Sequence, residues 1–443
     1  MTRTGVWALL VATLAGAPAW SAVEPSDSAD TLPAERSAPA SDVWSRATAT
    51  LRLLGSHRYQ RPSLGSLNPD NQALRLPRQT SEVEARLDVG LDLDRVTLSA
   101  KPRARWTRDH WQDGPRAGRS EDHADLLLLE GVARLRLAEP LFASFGRENL
   151  QWGPGQLLNP SNPFFAENGR ENPVREIGGQ DFLRVVLLPS SVWTVSWITN
   201  TGPGERDPGG RDWHPSHALK ADWVGRQASG GALVHGGPDA QTSLRGFGQW
   251  TASDALLLCG EASVSRGSAA LYPVADLGPL GGHLEATRRD DAAAFVTAAG
   301  GAAYTVAFGP TLSLEGVWNG EGYGDGQAER FFDLAHRAGA LAEQGLSVPR
   351  AAGPSSLGLR LLRRRYLFAQ YLQTEIADRL TVTLRWTQNL DDGSALATGF
   401  GEWSLSDRWR LFGFGGAGTG GSRDEFGSAV RYSVSLGLEL SAF

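Results

Sequence analysis

The chain has 443 residues and a formal net charge of −6, too mild an imbalance to imply nucleic acid as a partner. Its single cysteine, Cys259, excludes an intramolecular disulfide framework. No stretch of about 18 apolar residues occurs, which excludes a transmembrane helix but leaves membrane-crossing strands open.

Residues 1–22 read as a secretory signal. Arg3 supplies the positive start, residues 5–17 a short apolar core, and Ala17-Pro18-Ala19 or Ala19-Trp20-Ser21 a small-x-small cleavage site. The apolar core is too short to span a bilayer, and no cysteine follows it to carry a lipid anchor. Residues 23–46, rich in Pro, Ser, Ala and acidic groups, are expected to form a mobile periplasmic lead-in. Residues 47–443 read as one domain without internal repeats.

Within that domain the dominant period is two. Val83, Ala85, Leu87, Val89 and Leu91 alternate with Glu84, Arg86, Asp88, Gly90 and Asp92. Val96, Leu98, Ala100, Pro102, Ala104 and Trp106 alternate with Thr97, Ser99, Lys101, Arg103 and Arg105. Leu380, Val382, Leu384 and Trp386 repeat the pattern, as do Tyr432, Val434, Leu436, Leu438 and Leu440. Such runs are strands with one apolar and one polar face, and roughly ten residues suffice for a tilted strand to cross a membrane. Alternation alone allows either face to point inward. The signal segment, the aromatic ends of the apolar faces and a final alternating strand closing on Phe443 favour apolar-out. Phe443, one residue out of phase with Leu440 and Ala442, is expected to serve as a signal for barrel-assembly machinery.

Connection lengths give an independent reading. Short connections are expected near Asp94, Glu139, Ser190, residues 226–230, Asp254, Pro310, Asp378 and Asp407. Long ones are expected at residues 55–81, 109–122, 150–180, 201–215, 266–290, 320–358 and 416–428, with two shorter exceptions near Gly237 and Asp391. Residues 292–308 alternate weakly, and residues 329–346 read as a helix within a loop. Short turns on one side and long loops on the other define the expectation: an all-β transmembrane antiparallel barrel of about 18 strands with an inward-folded third extracellular loop.

That third loop organises the candidate site. It carries Arg147, Glu148, Asn149, Gln151 and Trp152, then turn-forming Gly153, Pro154 and Gly155, then Asn159-Pro160 and Asn162-Pro163. A connection this long and this punctuated is expected to be functional and folded back on itself. Its charged, amide and aromatic groups, with Arg170, Glu171, Arg175 and Glu176 beyond, suit a polyhydroxylated ligand through hydrogen bonds and stacking on Trp152. They equally suit charge pairing that pins the loop to the wall. On the polar faces, Lys101, Arg103 and Arg105 with Arg134 and Arg136 form a basic ladder beside Glu84, Arg86, Asp88, Asp92 and Asp94. The ladder is read either as cross-strand ion pairs or as a field that orients a passing solute.

Signals for enzyme or metal chemistry are weak. Gly413, Gly415 and Gly418 match G-x-G-x-x-G without a following helix. His214 and His217, near Asp212, lack a convincing third ligand, and no catalytic residue, metal or cofactor is expected.

The segment F-G-R-E-N-L-Q-W-G-P-G-Q-L-L-N-P-S-N-P resembles the W-G-P-G segment of the capsule-assembly Wzi family of outer-membrane barrels, firmly over residues 147–163. The resemblance implies polysaccharide binding at the surface of a Gram-negative cell, in a membrane of lipid and lipopolysaccharide. The family's segment continues differently after W-G-P-G, and residues 23–42 are too short and Pro-rich for the family's helical periplasmic section. Similar loops occur in other porin-like barrels. The alternatives are therefore a porin or channel for small polar or anionic solutes, an outer-membrane enzyme, and a structural tether.

Overall fold

The computed structural model describes residues 43–442 except 66, 73, 166–169, 171, 206–212, 239, 269, 279, 287–292 and 344–356. Residues 1–22, most of the lead-in, Glu171, Asp212 and Phe443 lie outside the described residues. The chain turns directly from a short helical turn at Val43–Arg46 into strand.

Alternating residues build strands β1 (Ala47–Pro62), β2 (Gln79–Leu93), β3 (Val96–His110), β4 (Ser120–Ala138), β5 (Leu141–Glu148), β6 (Gln180–Ser190), β7 (Trp193–Gly202) and β8 (Ser216–Val224). There follow β9 (Ala228–Gly236), β10 (Ser243–Ser253) and β11 (Leu256–Arg266), then a loop hairpin of β12 (Leu271–Ala275) and β13 (Gly282–Ala286). After β14 (Ala294–Thr305) and β15 (Thr311–Asn319) come helix α1 (Asp325–Glu343) and strands β16 (Arg365–Ile376), β17 (Leu380–Asn389), β18 (Ala395–Ser404), β19 (Trp409–Gly418) and β20 (Val430–Ser441). Apart from β12 and β13, every strand pairs antiparallel with its chain neighbours, and β20 returns to β1 with Leu436 opposite His57 and Leu440 opposite Leu53. The result is a closed antiparallel barrel of 18 strands.

The facing follows the expected parity. Val83, Leu98, Leu314, Leu384 and Leu436 are exposed on the outside, Leu436 at 62 %. Glu84, Arg86, Arg103, Glu261, Glu315 and Thr383 on the opposite face are buried. In water this arrangement would be inside out; against hydrocarbon it is the stable one. Apart from Trp197 in the middle of β7, the exposed indoles gather at two levels. Trp193, Trp223, Trp250, Trp403 and Trp409 sit beside the short turns, and Trp106, Trp318 and Trp386 lie toward the long loops.

All eight short connections and the two short exceptions fall where their spacing places them. The first long connection differs. β1 runs on to Pro62, seven residues beyond Gly55, paired to both β2 and β20. Polar residues such as His57 and Arg61 interrupt the alternation there, so the strand's end is invisible to a period-two reading. The weakly alternating 292–308 stretch forms β14, whose outward positions are largely Ala and Gly. The loop helix begins earlier than expected, at Asp325. At the long-loop end the connections share an apolar core: Leu67, Leu74 and Leu76 meet Tyr272, Tyr323, Phe331, Phe332, Leu357 and Leu359.

The lipid-facing assignment is tested by Leu436→Arg, expected to cost about 2–4 kcal/mol in urea titrations of folding into vesicles. Folding as stable as the unsubstituted chain's would reverse the assignment of faces.

Candidate functional site

The third long connection, residues 149–179, joins β5 to β6. Its turns are built by side chains that replace missing backbone partners. Asn162 Nδ2 donates to the Leu150 carbonyl at 2.8 Å, while its Oδ1 accepts from the Phe164 and Phe165 amides at 3.0 and 3.2 Å. Asn159 donates to the Trp152 carbonyl and accepts from Ser161 Oγ at 3.0 Å. Gly153 adopts φ +86°, and a Cβ there would lie 2.7 Å from both Asn159 Oδ1 and Glu261 Oε2.

Three groups of contacts attach this loop to the wall. Phe164 and Phe165 pack on Phe182, Ile198, Ala218 and Leu233, which line β6 to β9, with Leu150, Trp152 and Ile177 alongside. The Trp152 indole N–H donates to the Ser161 carbonyl at 3.1 Å, its ring meets Phe164 edge-on, and Lys220 Nζ sits 4.9 Å from its centroid. On β11, Glu261 accepts from the Gly155 amide and, at 3.1 Å, from the Ser161 amide. On β15, Glu315 accepts from the Gln156 and Leu157 amides at 2.8 and 3.1 Å. Arg245 and Arg360 donate to the carbonyls of Pro160 and Asn162 at 2.8 and 2.7 Å, and Arg170 covers those of Gly153, Pro154 and Gly155. On the return limb, Glu176 receives Arg103 at 2.6 Å, with Arg86 at 3.6 Å and Arg52 at 3.4 Å, and Arg86 also donates to the Val174 carbonyl.

The expected site residues separate into groups. Arg103 is fully buried between Asp88, at 2.7 Å, and Glu176. Arg105 pairs with Glu84 at 2.9 Å, Lys101 with Glu130 at 2.8 Å, and Arg134 with Glu148 at 3.1 Å. The ladder is therefore interleaved with carboxylates, as the ion-pair reading has it. Arg136 donates to the Asp94 carbonyl beside a short turn, far along the wall from the loop. Arg147 departs from the lumen set. It shares the outward face of β5 with exposed Phe145 and is held there by Asp181 at 2.8 Å and Glu205 at 2.6 Å. Asn149 accepts from Gln151 at 2.9 Å within the loop, and Gly153, Pro154, Gly155, Asn159 and Pro160 form its turning tip. Gly413 and Gly415 lie inside strand β19, and His217 meets the Thr199 hydroxyl at 3.0 Å.

Sequence reasoning passed over Glu261 and Glu315, the Phe164-Phe165 anchor, Arg245 and Arg360. The signal for the glutamates was present: each is a lone carboxylate in an apolar, small-residue strand, and parity points it inward. Glu425, in the last long loop, was also passed over. Its carboxyl accepts from the Leu362 amide and Asn389 Nδ2, both at 2.8 Å, and from the Tyr366 hydroxyl, while its own amide donates to Asp392 at 3.0 Å. Burial, helped by the Asp392 charge and opposed by those donors, pushes the carboxyl up to about 7.

No family model matches the sequence, and no curated protein matches it. The capsule-assembly resemblance of the W-G-P-G segment thus draws no support from either comparison. Solved structures match in fold. The chain is similar to OccK11 (OpdR) of Pseudomonas aeruginosa at 10% identity and a TM-score of 0.51, covering 90% of this chain and 97% of that one. OccK5 (OpdH) of the same organism matches at 9% identity and 0.50, covering 90% and 99%. OccAB1 of Acinetobacter baumannii matches at 11% identity and 0.50, covering 89% and 97%. At these identities the likeness is one of fold: an 18-strand barrel of nearly the same extent.

Two outcomes test the site's electrostatics. Arg103→Ala removes the buried guanidinium between Asp88 and Glu176 and leaves them Arg52 and Arg86, so it is expected to destabilise the barrel by about 3 kcal/mol, the low end for a broken buried pair, in urea titrations. For Glu425, the docked loop holds a proton between the ordinary 4.5 and about 7 that the exposed group releases. Docking is therefore strongest in acid, and that gain is lost as pH rises through this interval. Amide exchange in residues 357–363, corrected for intrinsic rates, is expected to be slower at about pH 5 than at about pH 8, and Glu425→Gln should remove the difference.

Proposed function

We propose that the chain is an outer-membrane channel for small polar or anionic solutes, its lumen narrowed by the loop 149–179. One observation carries this reading: main-chain amides at 155, 156, 157 and 161 reach carboxylates on the inward faces of β11 and β15, although the loop begins and ends on β5 and β6. A loop lying outside the barrel could not make these bonds. Together with the Phe164 anchor and the Glu176 pairs, they lead the loop across the lumen to three separate arcs of wall. The fold likeness to the Occ barrels supports a channel over surface polysaccharide binding. So does Trp152, whose ring is engaged by Phe164 and Lys220 rather than presented to a sugar.

The channel is expected to take solutes by size and hydrogen bonding. Arg245 and Arg360 bring positive charge to the loop, where they donate to the carbonyls of Pro160 and Asn162. Acidic solutes compared with neutral ones of the same size would show whether these cations favour anions.

The decisive measurement is conductance of the refolded protein in planar bilayers, with and without residues 156–178. Small stable current steps are expected from the full chain and larger ones from the deletion. A silent full chain with a conducting deletion would make the loop a plug and return polysaccharide binding to the fore.

A further inference from the structure

Resting on the channel reading, we propose that Glu261 and Glu315 are positioning residues: a two-carboxylate clasp that holds the loop tip, residues 153–161, across the lumen and so sets the aperture. Neither carboxylate lies near the loop in sequence. Each accepts two backbone amides from it, and the two glutamates are 4% and 3% exposed.

The surrounding chain is shaped for this contact. The glutamates stand on strands separated only by β14, whose inward positions opposite them are Ala299 and Gly301. A Cβ on Gly301 would lie 3.2 Å from Glu315 Cβ and closer still to the Leu314 carbonyl. On the loop side, Cβ atoms added to Gly153 or Gly155 would run into the Glu261 carboxylate. The two glycines of W-G-P-G therefore allow bare backbone to approach a side chain, in addition to turning the chain. Arg170 closes the other side of the tip by binding three consecutive carbonyls. Backbone amides facing a carboxylate make strong, charge-assisted bonds, and the same amides without an acceptor would be buried and unsatisfied.

The attachments differ in kind. The Phe164 cluster is apolar and lies close to the loop's covalent ends, while Arg245 and Arg360 hold carbonyls of residues 159, 160 and 162. The glutamates instead hold the amides of residues 155–157 and 161. An isosteric amide separates charge and acceptor count from size, because glutamine offers one acceptor and turns an N–H toward a backbone N–H.

The chain carries its own reporter. Cys259 is its single cysteine, two residues from Glu261 toward the short-turn end and on the same face of β11. A bulky thiol reagent entering from the long-loop side reaches Cys259 only past the loop. The test compares Glu261→Gln, Glu315→Gln and the double variant with the unsubstituted protein, measuring Cys259 labelling rate, single-channel current and urea stability. Measured against a small neutral thiol reagent, whose rate follows the thiol's own reactivity beside the two carboxylates, the bulky reagent is expected to label the double variant about tenfold faster or more; larger current steps are expected too, with the singles intermediate. Glu315→Asp should lie nearer the unsubstituted protein than Glu315→Gln. The single variants serve if the double one does not fold. Labelling and current both unchanged in folded variants would overturn the clasp. Faster labelling with no change in current would retain the clasp as a restraint on the loop and overturn the channel reading beneath it.

Discussion

A strand inside hydrocarbon has no water to satisfy its N–H and C=O groups, and this constraint governs the whole chain. It requires β20 to find β1, which it does over eleven paired positions, from Arg52–Ser441 to Pro62–Val430. Closure then divides every strand into a face that must be apolar and a face free to be charged. The Arg and Glu residues of β2 and β3 are admissible because the wall hides them from lipid and sets them opposite one another. Arg103 illustrates the result: a fully buried guanidinium surrounded by Asp88, Glu176 and the Leu87 carbonyl.

The same accounting explains the third loop. Irregular backbone within a barrel needs partners for each polar group, and a long loop supplies few of its own. Here acidic wall residues take its amides, arginines take its carbonyls, and Asn159 and Asn162 complete its turns. The loop is thus held by polar bonds at its tip and along its return limb, and by apolar packing around Phe164 and Phe165. Under the channel reading such stiffness would keep the opening constant, since a loosely held loop would present a different one at every moment.

Fold and site were legible to different degrees, for physical reasons. Period-two alternation, ten-residue spans and alternating connection lengths are local properties, so the barrel and its strand number could be read from them. The end of β1 could not, because Ser56 to Pro62 extend where an outward face carries no apolar requirement. The W-G-P-G loop stood out by its composition, yet its partners did not. Glu261 and Glu315 are more than one hundred residues away, and only ring closure brings them opposite the loop. Arg147 shows the limit of reading residues in a row. It adjoins Glu148, but a strand sends neighbours to opposite faces, so one points into the barrel and the other away.

The two levels of outward indoles also bear on the membrane itself. Trp403 lies opposite Leu380, six residues from Trp386 on the same strand, and Tyr304 stands opposite Leu312, six residues from Trp318. Six residues span about 20 Å of strand, and tilt shortens this along the bilayer normal. Aromatic rings favour the headgroup boundary, so these levels mark out a thin hydrocarbon layer. A thicker bilayer would have to pinch around the barrel or let the barrel tilt. Its wall thereby carries a fixed apolar height to which the surrounding bilayer must adapt.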